Sequence, residues 1–236
     1  MKYMKHYGAK FEMFQSIIAK SNPVIVEVGA HYGEDSMRFV ESFDNATVYC
    51  FEPDPRNVKI FKKHIKNDNV KLFEIALSDT TGECEFFQSY DNTQSNFVPD
   101  KYDWISLEDY EKDLLSNSGS SSLKKGYSKI LTDSIKVKTQ RFDVWHDENE
   151  IADIDLVWID VQGAEREVIE GMGDKIQNIK FIWIEYGELA YEGALSRRET
   201  VSMLGDRNFD VVQRLSSTTP SGDLLFFNRA PKESQQ

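Results

Sequence analysis

Short apolar runs alternate with amphipathic segments along the sequence, and this alternation limits the possible folds more than any other feature. The runs have the length of buried strands, and the segments between them carry apolar residues at helical spacing. These runs lie at 24–28, 47–51, 70–76, 154–159 and 180–184. Strands separated by helices form right-handed βαβ units around a parallel sheet. The sequence therefore predicts a doubly wound α/β fold.

Both ends of the chain extend this core. Apolar residues at helical spacing predict an N-terminal helix over 10–20, which ends before Pro23. Two final apolar runs, 209–215 and 223–228, flank a turn of Ser, Thr, Pro and Gly, which is typical of an antiparallel hairpin. Further helices are predicted over 35–42, 55–65 and 164–172. Together with the hairpin, the five earlier runs predict a mostly parallel sheet of seven strands.

The alternation is lost between residues 88 and 134, where the chain is polar and rich in aromatic residues. Ser106 and Asp109 have the spacing of a capping box at the start of a short helix, and 116–122 is rich in Gly and Ser. Long loops of this kind form binding lids, or they pack at the periphery. We predict one domain over 1–236 that includes this insertion.

Charge and composition restrict the partners and the compartment. A formal net charge of -12 gives an acidic surface that repels nucleic acid, so we expect no DNA or RNA partner. A basic run from Lys124 to Arg141 is either a solvated strand and loop or a site for an anionic substrate. Charged residues such as Lys10 interrupt the N-terminal segment, which excludes a signal peptide and a membrane span there. We expect a soluble, cytoplasmic protein.

A glycine-containing turn follows the first predicted strand, where α/β sheets bind nucleotide-like ligands. Gly29 and Gly33 belong to this turn, and His31 stands where a dinucleotide site has glycine for the close approach of pyrophosphate. The turn therefore disfavours NAD and suits S-adenosylmethionine, which has no phosphate. Glu27, just before the turn, can attract the cationic methionine end of that cofactor, or it forms a salt bridge at the strand end.

A second carboxylate, Glu52, follows the second predicted strand. A carboxylate at this edge of the sheet can accept hydrogen bonds from both ribose hydroxyls of a bound nucleoside. Pro53 and Pro55 stiffen the turn around it. The spacing also suits NAD, and a surface turn residue is the remaining interpretation.

Four motifs in this order resemble the FkbM methyltransferase family. They are Val-Glu-Val-Gly-Ala-His-Tyr-Gly at 26–33, Phe-Glu-Pro-Asp-Pro at 51–55, Ala-Leu-Ser-Asp at 76–79 and Trp-Ile-Asp-Val-Gln-Gly-Ala-Glu at 158–165. The resemblance extends over about residues 23–190. It implies a class I, Rossmann-like methyltransferase fold, S-adenosylmethionine as cofactor with S-adenosylhomocysteine as product, and O-methylation of hydroxyls on sugars, polyketides or related small molecules.

The resemblance also implies a set of cofactor contacts. These are Glu27, Gly29, Ala30 and Gly33 in the turn, Glu52 and Pro53 after the second strand, Ala76, Leu77 and Ser78 on the adenine side, and Asp160. In this comparison Asp160 is the strand-end carboxylate nearest the transferring methyl group. Family members usually have Glu where this chain has Gln162, which removes one charge beside Asp160.

Methyl transfer to a hydroxyl needs alignment first and a base second. The candidate catalytic residues are Asp160, then Glu185 and His31, whereas we expect His146 at the surface. Asp160 with Asp143 or Glu185 can also hold Mg²⁺, because hard cations prefer carboxylate oxygen. No ligand spacing demands a metal, so we assign no metal site.

The favoured hypothesis is an O-methyltransferase for a hydroxyl of a sugar, glycan or related small molecule, with the aromatic insertion over the acceptor. One alternative is an inactive protein that kept the cofactor fold as a binding site. The other is an NAD-dependent oxidoreductase or epimerase, for which the sequence lacks both the middle glycine and a Tyr-x-x-x-Lys pair. The acceptor and the oligomeric state are not predicted.

Overall fold

A seven-stranded sheet forms the body of the protein in the computed structural model, which describes residues 8–90, 104–105, 118–126, 131–188, 190–214 and 221–230. The strands are β1 (Val24–Val28), β2 (Thr47–Phe51), β3 (Val70–Phe73), β4 (Ala76–Ser78), β5 (Gly82–Tyr90), β6 (Leu131–Arg141), β7 (Ile154–Ile159), β8 (Ile179–Gly187), β9 (Phe209–Arg214) and β10 (Ser221–Asn228). The helices are α1 (Gly8–Ile18), α2 (Glu34–Ser42), α3 (Pro55–His64), α4 (Phe142–Glu148), α5 (Glu165–Gly171) and α6 (Arg197–Gly205).

The large sheet has the order β3-β2-β1-β7-β8-β10-β9. Its neighbouring strands pair in parallel, except that β10 runs antiparallel to both β8 and β9. The prediction of a doubly wound sheet with a C-terminal hairpin is confirmed. The chain order reverses between β1 and β7, which makes the carboxyl ends of these two strands the expected ligand site.

Helices cover both faces of this sheet, and side chains alternate between the two cores. Ile25 packs with the apolar residues of α1, α2 and α3, whereas Val26 and Val28 pack with those of α4, α5 and α6. Burial on both faces explains why the parallel strands read as continuous apolar runs. Within the described residues, none of the helices is both long and apolar enough to cross a membrane.

A second, three-stranded sheet corrects the sequence interpretation. One strand was predicted over 70–76 and irregular chain beyond Phe87, but β3 ends at Phe73, and β5 pairs with β6 along its whole length. The strand β4 pairs with the other side of β6. Charged residues obscured the pattern, because this sheet buries only a small apolar cluster. The short helix expected near Ser106 lies outside the described residues.

The basic run between Lys124 and Arg141 is largely matched by acidic side chains. Lys124 forms an ion pair with Glu167, and Arg141 binds Asp143. Where β5 pairs with β6, Lys136 lies opposite Glu85 and Lys138 lies opposite Glu83. Opposite charges placed this way stabilise a strand pair. The arrangement favours the solvated strand and loop over a site for an anionic substrate.

Candidate active site

A pocket opens at the carboxyl ends of β1, β2 and β7. The second sheet and the segment 118–123 close its other side. Of the predicted site residues, the wall contains Gly29, His31, Glu52, Pro53, Ala76, Leu77 and Asp160. The structure thus brings together the ends of β1, β2 and β7 with β4, although these segments are far apart in the sequence.

Gly29 allows the turn after β1 to pack against the end of β7. Its φ is 91°, and a Cβ atom at this position would lie 1.9 Å from the backbone oxygen of Asp160. Gly33 has a φ of 84° and serves a similar purpose, since a Cβ there would lie 2.7 Å from the Phe61 ring. The two glycines therefore shape the turn by its contacts with the protein, and only Gly29 lines the pocket.

Four predicted cofactor contacts lie outside the pocket wall. Glu27 is 2% exposed and points toward α2, where its carboxyl group accepts a hydrogen bond from the Ser36 hydroxyl. Burial, and then the charge of Asp35, raise the pKa of Glu27 well above its ordinary value. Glu27 therefore supports the turn through its contact with α2, on the side away from the pocket. The other three residues are Ala30, Gly33 and Ser78.

Glu52 lies in the pocket wall at the end of β2 and is 4% exposed. Its Oε2 accepts the backbone N–H of His31 at 2.8 Å, and its Oε1 accepts that of Asp54 at 2.8 Å. Burial, and then the charge of Asp54, raise the pKa of Glu52 to about 7. The two hydrogen bonds hold the carboxyl group in place, and its pKa lies close to neutral pH.

Asn57, one turn into α3, completes this end of the pocket. Its Nδ2 donates to Glu52 Oε1 at 3.3 Å, and its Oδ1 is buried without a hydrogen bond from any described residue. A buried acceptor without a donor is unfavourable until a ligand satisfies it. Glu52 and Asn57 together place polar side chains at this end of the pocket.

Asp160 and Glu185 form a carboxyl pair at the ends of the neighbouring strands β7 and β8. Gln162 bridges them, because its Nε2 donates to Asp160 Oδ1 at 2.6 Å and to Glu185 Oε2 at 3.0 Å. Burial, and then the charge of Asp160, raise the pKa of Glu185 to about 9. Glu185 therefore holds a proton at neutral pH. Asp160 lines the pocket, whereas Glu185 is not among the lining residues.

His31 reaches the pocket wall, but both of its ring nitrogens have partners. Nδ1 lies 3.1 Å from Glu34 Oε1, and Nε2 lies 2.9 Å from Ser118 Oγ. Although burial acts to raise it, the charge of His31 holds the pKa of Glu34 at about 2. These contacts make His31 an anchor for the segment 118–123. His146, expected at the surface, is instead buried in α4.

No cluster of three or more His, Cys, Asp or Glu side chains suited to a metal ion occurs in the described part of the chain. Asp143, considered as a ligand for Mg²⁺, lies within hydrogen-bond distance of Arg141, with contacts of 3.0 and 2.6 Å. The available carboxyl pair, Asp160 and Glu185, is bridged by an amide.

Three residues near the site were missed by sequence reasoning. Tyr191 donates its hydroxyl to Gln162 Oε1 at 3.0 Å, and Asn57 contacts Glu52. Lys10 lies over the stacked rings of the tryptophans in β7 and β8, at 4.1 and 4.2 Å from their centres. A signal existed for Lys10 and Asn57, since each precedes a buried phenylalanine of its helix by four residues. Nothing local marks Tyr191.

Comparison with known proteins places this site in a family context. The profile described as the methyltransferase FkbM domain matches residues 27–212. The 2-O-methyltransferase NoeI of Sinorhizobium fredii (strain NBRC 101917 / NGR234) is 34% identical over 220 residues, which cover 90% of this chain and 82% of that protein. Methyltransferase sdnD of Sordaria araneosa is 23% identical, over 85% of this chain and 78% of that one.

Solved structures share the fold at much lower identity. The fibrillarin pre-rRNA processing protein of Methanococcus jannaschii superposes with a TM-score of 0.50 and 10% identity, over 89% of this chain and 68% of that one. Such a likeness speaks only for the architecture.

Proposed function

The chain belongs to the FkbM methyltransferase family and is a methyltransferase that uses S-adenosylmethionine, and we propose that its acceptor is a hydroxyl group of a sugar, glycan or related small molecule. One observation carries this proposal. One pocket has the buried side chains of Glu52 and Asn57 at one end and a carboxyl group, Asp160, at the other. The name of the relative NoeI, a 2-O-methyltransferase, supports an oxygen acceptor.

Glu52 and Asn57 are proposed to hold the ribose of the cofactor. The Glu52 carboxylate has both oxygens fixed by backbone donors, and each oxygen retains lone-pair capacity for a further hydrogen bond. Hydrogen bonds to a charged group contribute about 1.5–3 kcal/mol.

Asp160 is proposed as the base. When bound, S-adenosylmethionine supplies an electrophilic methyl group on its sulfonium centre. Asp160 would take up the hydroxyl proton of an acceptor whose oxygen receives that methyl group. The protonated Glu185 is a poor base but lies where it can help hold Asp160 in place. A positioned base contributes about 10²–10⁴-fold to such a reaction.

The overall charge supports a small acceptor over a nucleic acid. With a net charge of -12, the chain repels a phosphate backbone, and the basic run is matched by nearby acids. We also propose that residues 1–236 act as one domain, because β4 and β5 of the second sheet contribute Leu77 and Phe86 to the same pocket.

Two measurements test this function. Calorimetry with S-adenosylmethionine, S-adenosylhomocysteine and NAD should detect the first two ligands and not the third. Transfer of a radiolabelled methyl group to a panel of oligosaccharides and lipid-linked sugars should then identify acceptors. NAD binding without S-adenosylhomocysteine binding would refute the cofactor site. Cofactor binding with transfer only to nitrogen or carbon acceptors would refute the hydroxyl acceptor.

A further inference from the structure

The amide of Gln162 has a partner for each of its polar atoms. Its Nε2 donates to Asp160 at 2.6 Å and to Glu185 at 3.0 Å, and its Oε1 accepts from the Tyr191 hydroxyl at 3.0 Å. A primary amide has two N–H donors, so one proton is available for each carboxyl group. In the flipped orientation the amide oxygen would face two carboxyl groups, and the amide nitrogen would face a hydroxyl. The two carboxyl groups therefore favour the orientation with Nε2 toward them, and the Tyr191 hydroxyl, which also lies 3.0 Å from the carbonyl oxygen of Ser120, shares its one proton between that oxygen and Gln162 Oε1.

The backbone holds this side chain in an uncommon conformation. Gln162 has a φ of 54°, in the left-handed region that non-glycine residues rarely occupy. The next residue, Gly163, has a φ of 102°, and a Cβ atom there would lie 2.5 Å from Cβ of Tyr191. The turn that aims Gln162 is thus packed against the residue that fixes its amide. Strain of this kind is found mainly where a side chain must be placed for function.

We propose that Gln162, oriented by Tyr191, is a positioning residue that holds Asp160 and Glu185 together as a pair sharing a single proton. This inference rests on the proposed function, in which Asp160 removes the acceptor proton. Two adjacent carboxyl groups do not both ionise readily, so one keeps a proton while the other is charged. Gln162 donates to both members and is neutral at every pH. It therefore stabilises the charged member without adding a charge of its own.

Other charged groups act on the pair from the surrounding elements. Asp223 on β10 and Glu165 at the start of α5 add to the effect of burial and Asp160 in raising the pKa of Glu185. Among the described residues, Lys10 on α1 interacts with Asp160 and Asp223, while burial lowers its own pKa. The N–H donors of Gln162 contact both members of the pair directly, and such donors favour the ionised form of a carboxyl group.

Two variants of the full chain test the role of the amide. Gln162→Leu removes both donors, and Tyr191→Phe removes the hydroxyl but keeps the ring on Gly163. Loss of a donor to a carboxylate raises its pKa. We expect the carboxyl groups of Asp160 and Glu185, followed by carbon-13 NMR, to titrate at a pH about one unit higher in Gln162→Leu than in the unaltered chain. A smaller upward change is expected in Tyr191→Phe. The acid limb of the pH profile for methyl transfer should shift in the same direction.

The two readouts separate this inference from the proposed function. The NMR titration needs neither cofactor nor acceptor, so it tests the pair even if no methyl transfer is found. A uniform loss of rate at every pH, with unchanged titration in both variants, would mean that Gln162 only supports the fold and would overturn the inference. If Gln162→Leu does not fold, Tyr191→Phe decides alone. Failure of the unaltered chain to bind S-adenosylhomocysteine would instead refute the proposed function.

Discussion

Two glutamates with raised pKa values lie near the two ends of the pocket, the buried Glu52 in its wall and the half-buried Glu185 beside Asp160, but their surroundings differ. Glu52 is surrounded mainly by donors, two of them backbone N–H groups, and its pKa is about 7. Glu185 is surrounded by acids, and its pKa is about 9. Backbone donors favour the charged form of a carboxyl group, whereas neighbouring carboxylates disfavour it. These surroundings support the proposed division, in which one end binds hydroxyl groups and the other holds and moves a proton.

The sharpest test of this division is Asp160→Asn, for which we expect the largest effect. Turnover should fall by at least about 10²-fold, while the affinity for S-adenosylhomocysteine changes only a few-fold, because a base acts on the acceptor proton. Steady-state kinetics and calorimetry on the same preparation check it. An equal loss in both would make Asp160 a cofactor-binding residue and would erase the contrast between the two ends.

The opposite pattern is expected at the cofactor end. Glu52→Ala should weaken S-adenosylhomocysteine binding by about 10–150-fold, equivalent to the loss of about 1.5–3 kcal/mol of hydrogen bonding. Turnover at saturating cofactor should change much less. Thermal unfolding of the variant provides the control. Unchanged affinity in a protein that unfolds at an unchanged temperature would show that Glu52 is a turn residue and nothing more.

The sequence carries clearer local signals for the Glu52 end of the pocket than for the Asp160 end. Glu52 and Gly29 both line the pocket, and each directly follows a strand that local periodicity defines. Glu27 has the same kind of position, yet alternation along β1 turns its side chain toward Ser36. A motif indicates where a residue lies along a strand. The face of the sheet to which its side chain points depends on packing, which acts only once the strand is part of the sheet.

The end of the pocket at Asp160, where the acceptor is proposed to bind, depends on contacts between segments that are far apart in the sequence. Tyr191 reaches Gln162 only because the chain beyond β8 folds back over the turn after β7. Ser118 meets His31 across 87 positions of sequence. The pairing of β5 with β6 was missed for a related reason. Its charged residues lie opposite one another on the two strands, and the sequence alone does not show which residues will be opposite.

The pH dependence of cofactor binding sharpens the comparison further. Hydroxyl donors bind the ionised form of Glu52, so binding must release a proton wherever that group is protonated in the free protein. Because its pKa is about 7, the dissociation constant of S-adenosylhomocysteine should rise as pH falls below 7 and level off above about 8. The rise approaches about tenfold per pH unit at most.

Glu52→Gln is the matched control for this measurement, because it keeps the size of the side chain and cannot titrate. Its dissociation constant should be nearly independent of pH across the same range, as measured by calorimetry in buffers of different ionisation enthalpy. A pH dependence that persists in Glu52→Gln would assign the titration to another group.

The smallest effect is expected for Glu185→Gln, and its size decides whether the two carboxyl groups of the pair are equivalent. Because burial and Asp160 raise the pKa of Glu185 to about 9, this side chain is already neutral at pH 7. Glutamine keeps a neutral donor next to Asp160, so turnover at pH 7 should change by only a few-fold, far less than for Asp160→Asn. The difference should appear on the alkaline side, where any change of rate linked to ionisation of Glu185 near pH 9 is lost in the variant. Kinetics from pH 6 to about 10 measure this. A loss at pH 7 as large as that of Asp160→Asn would make Glu185 the base, and the pair would then hold its proton on Asp160.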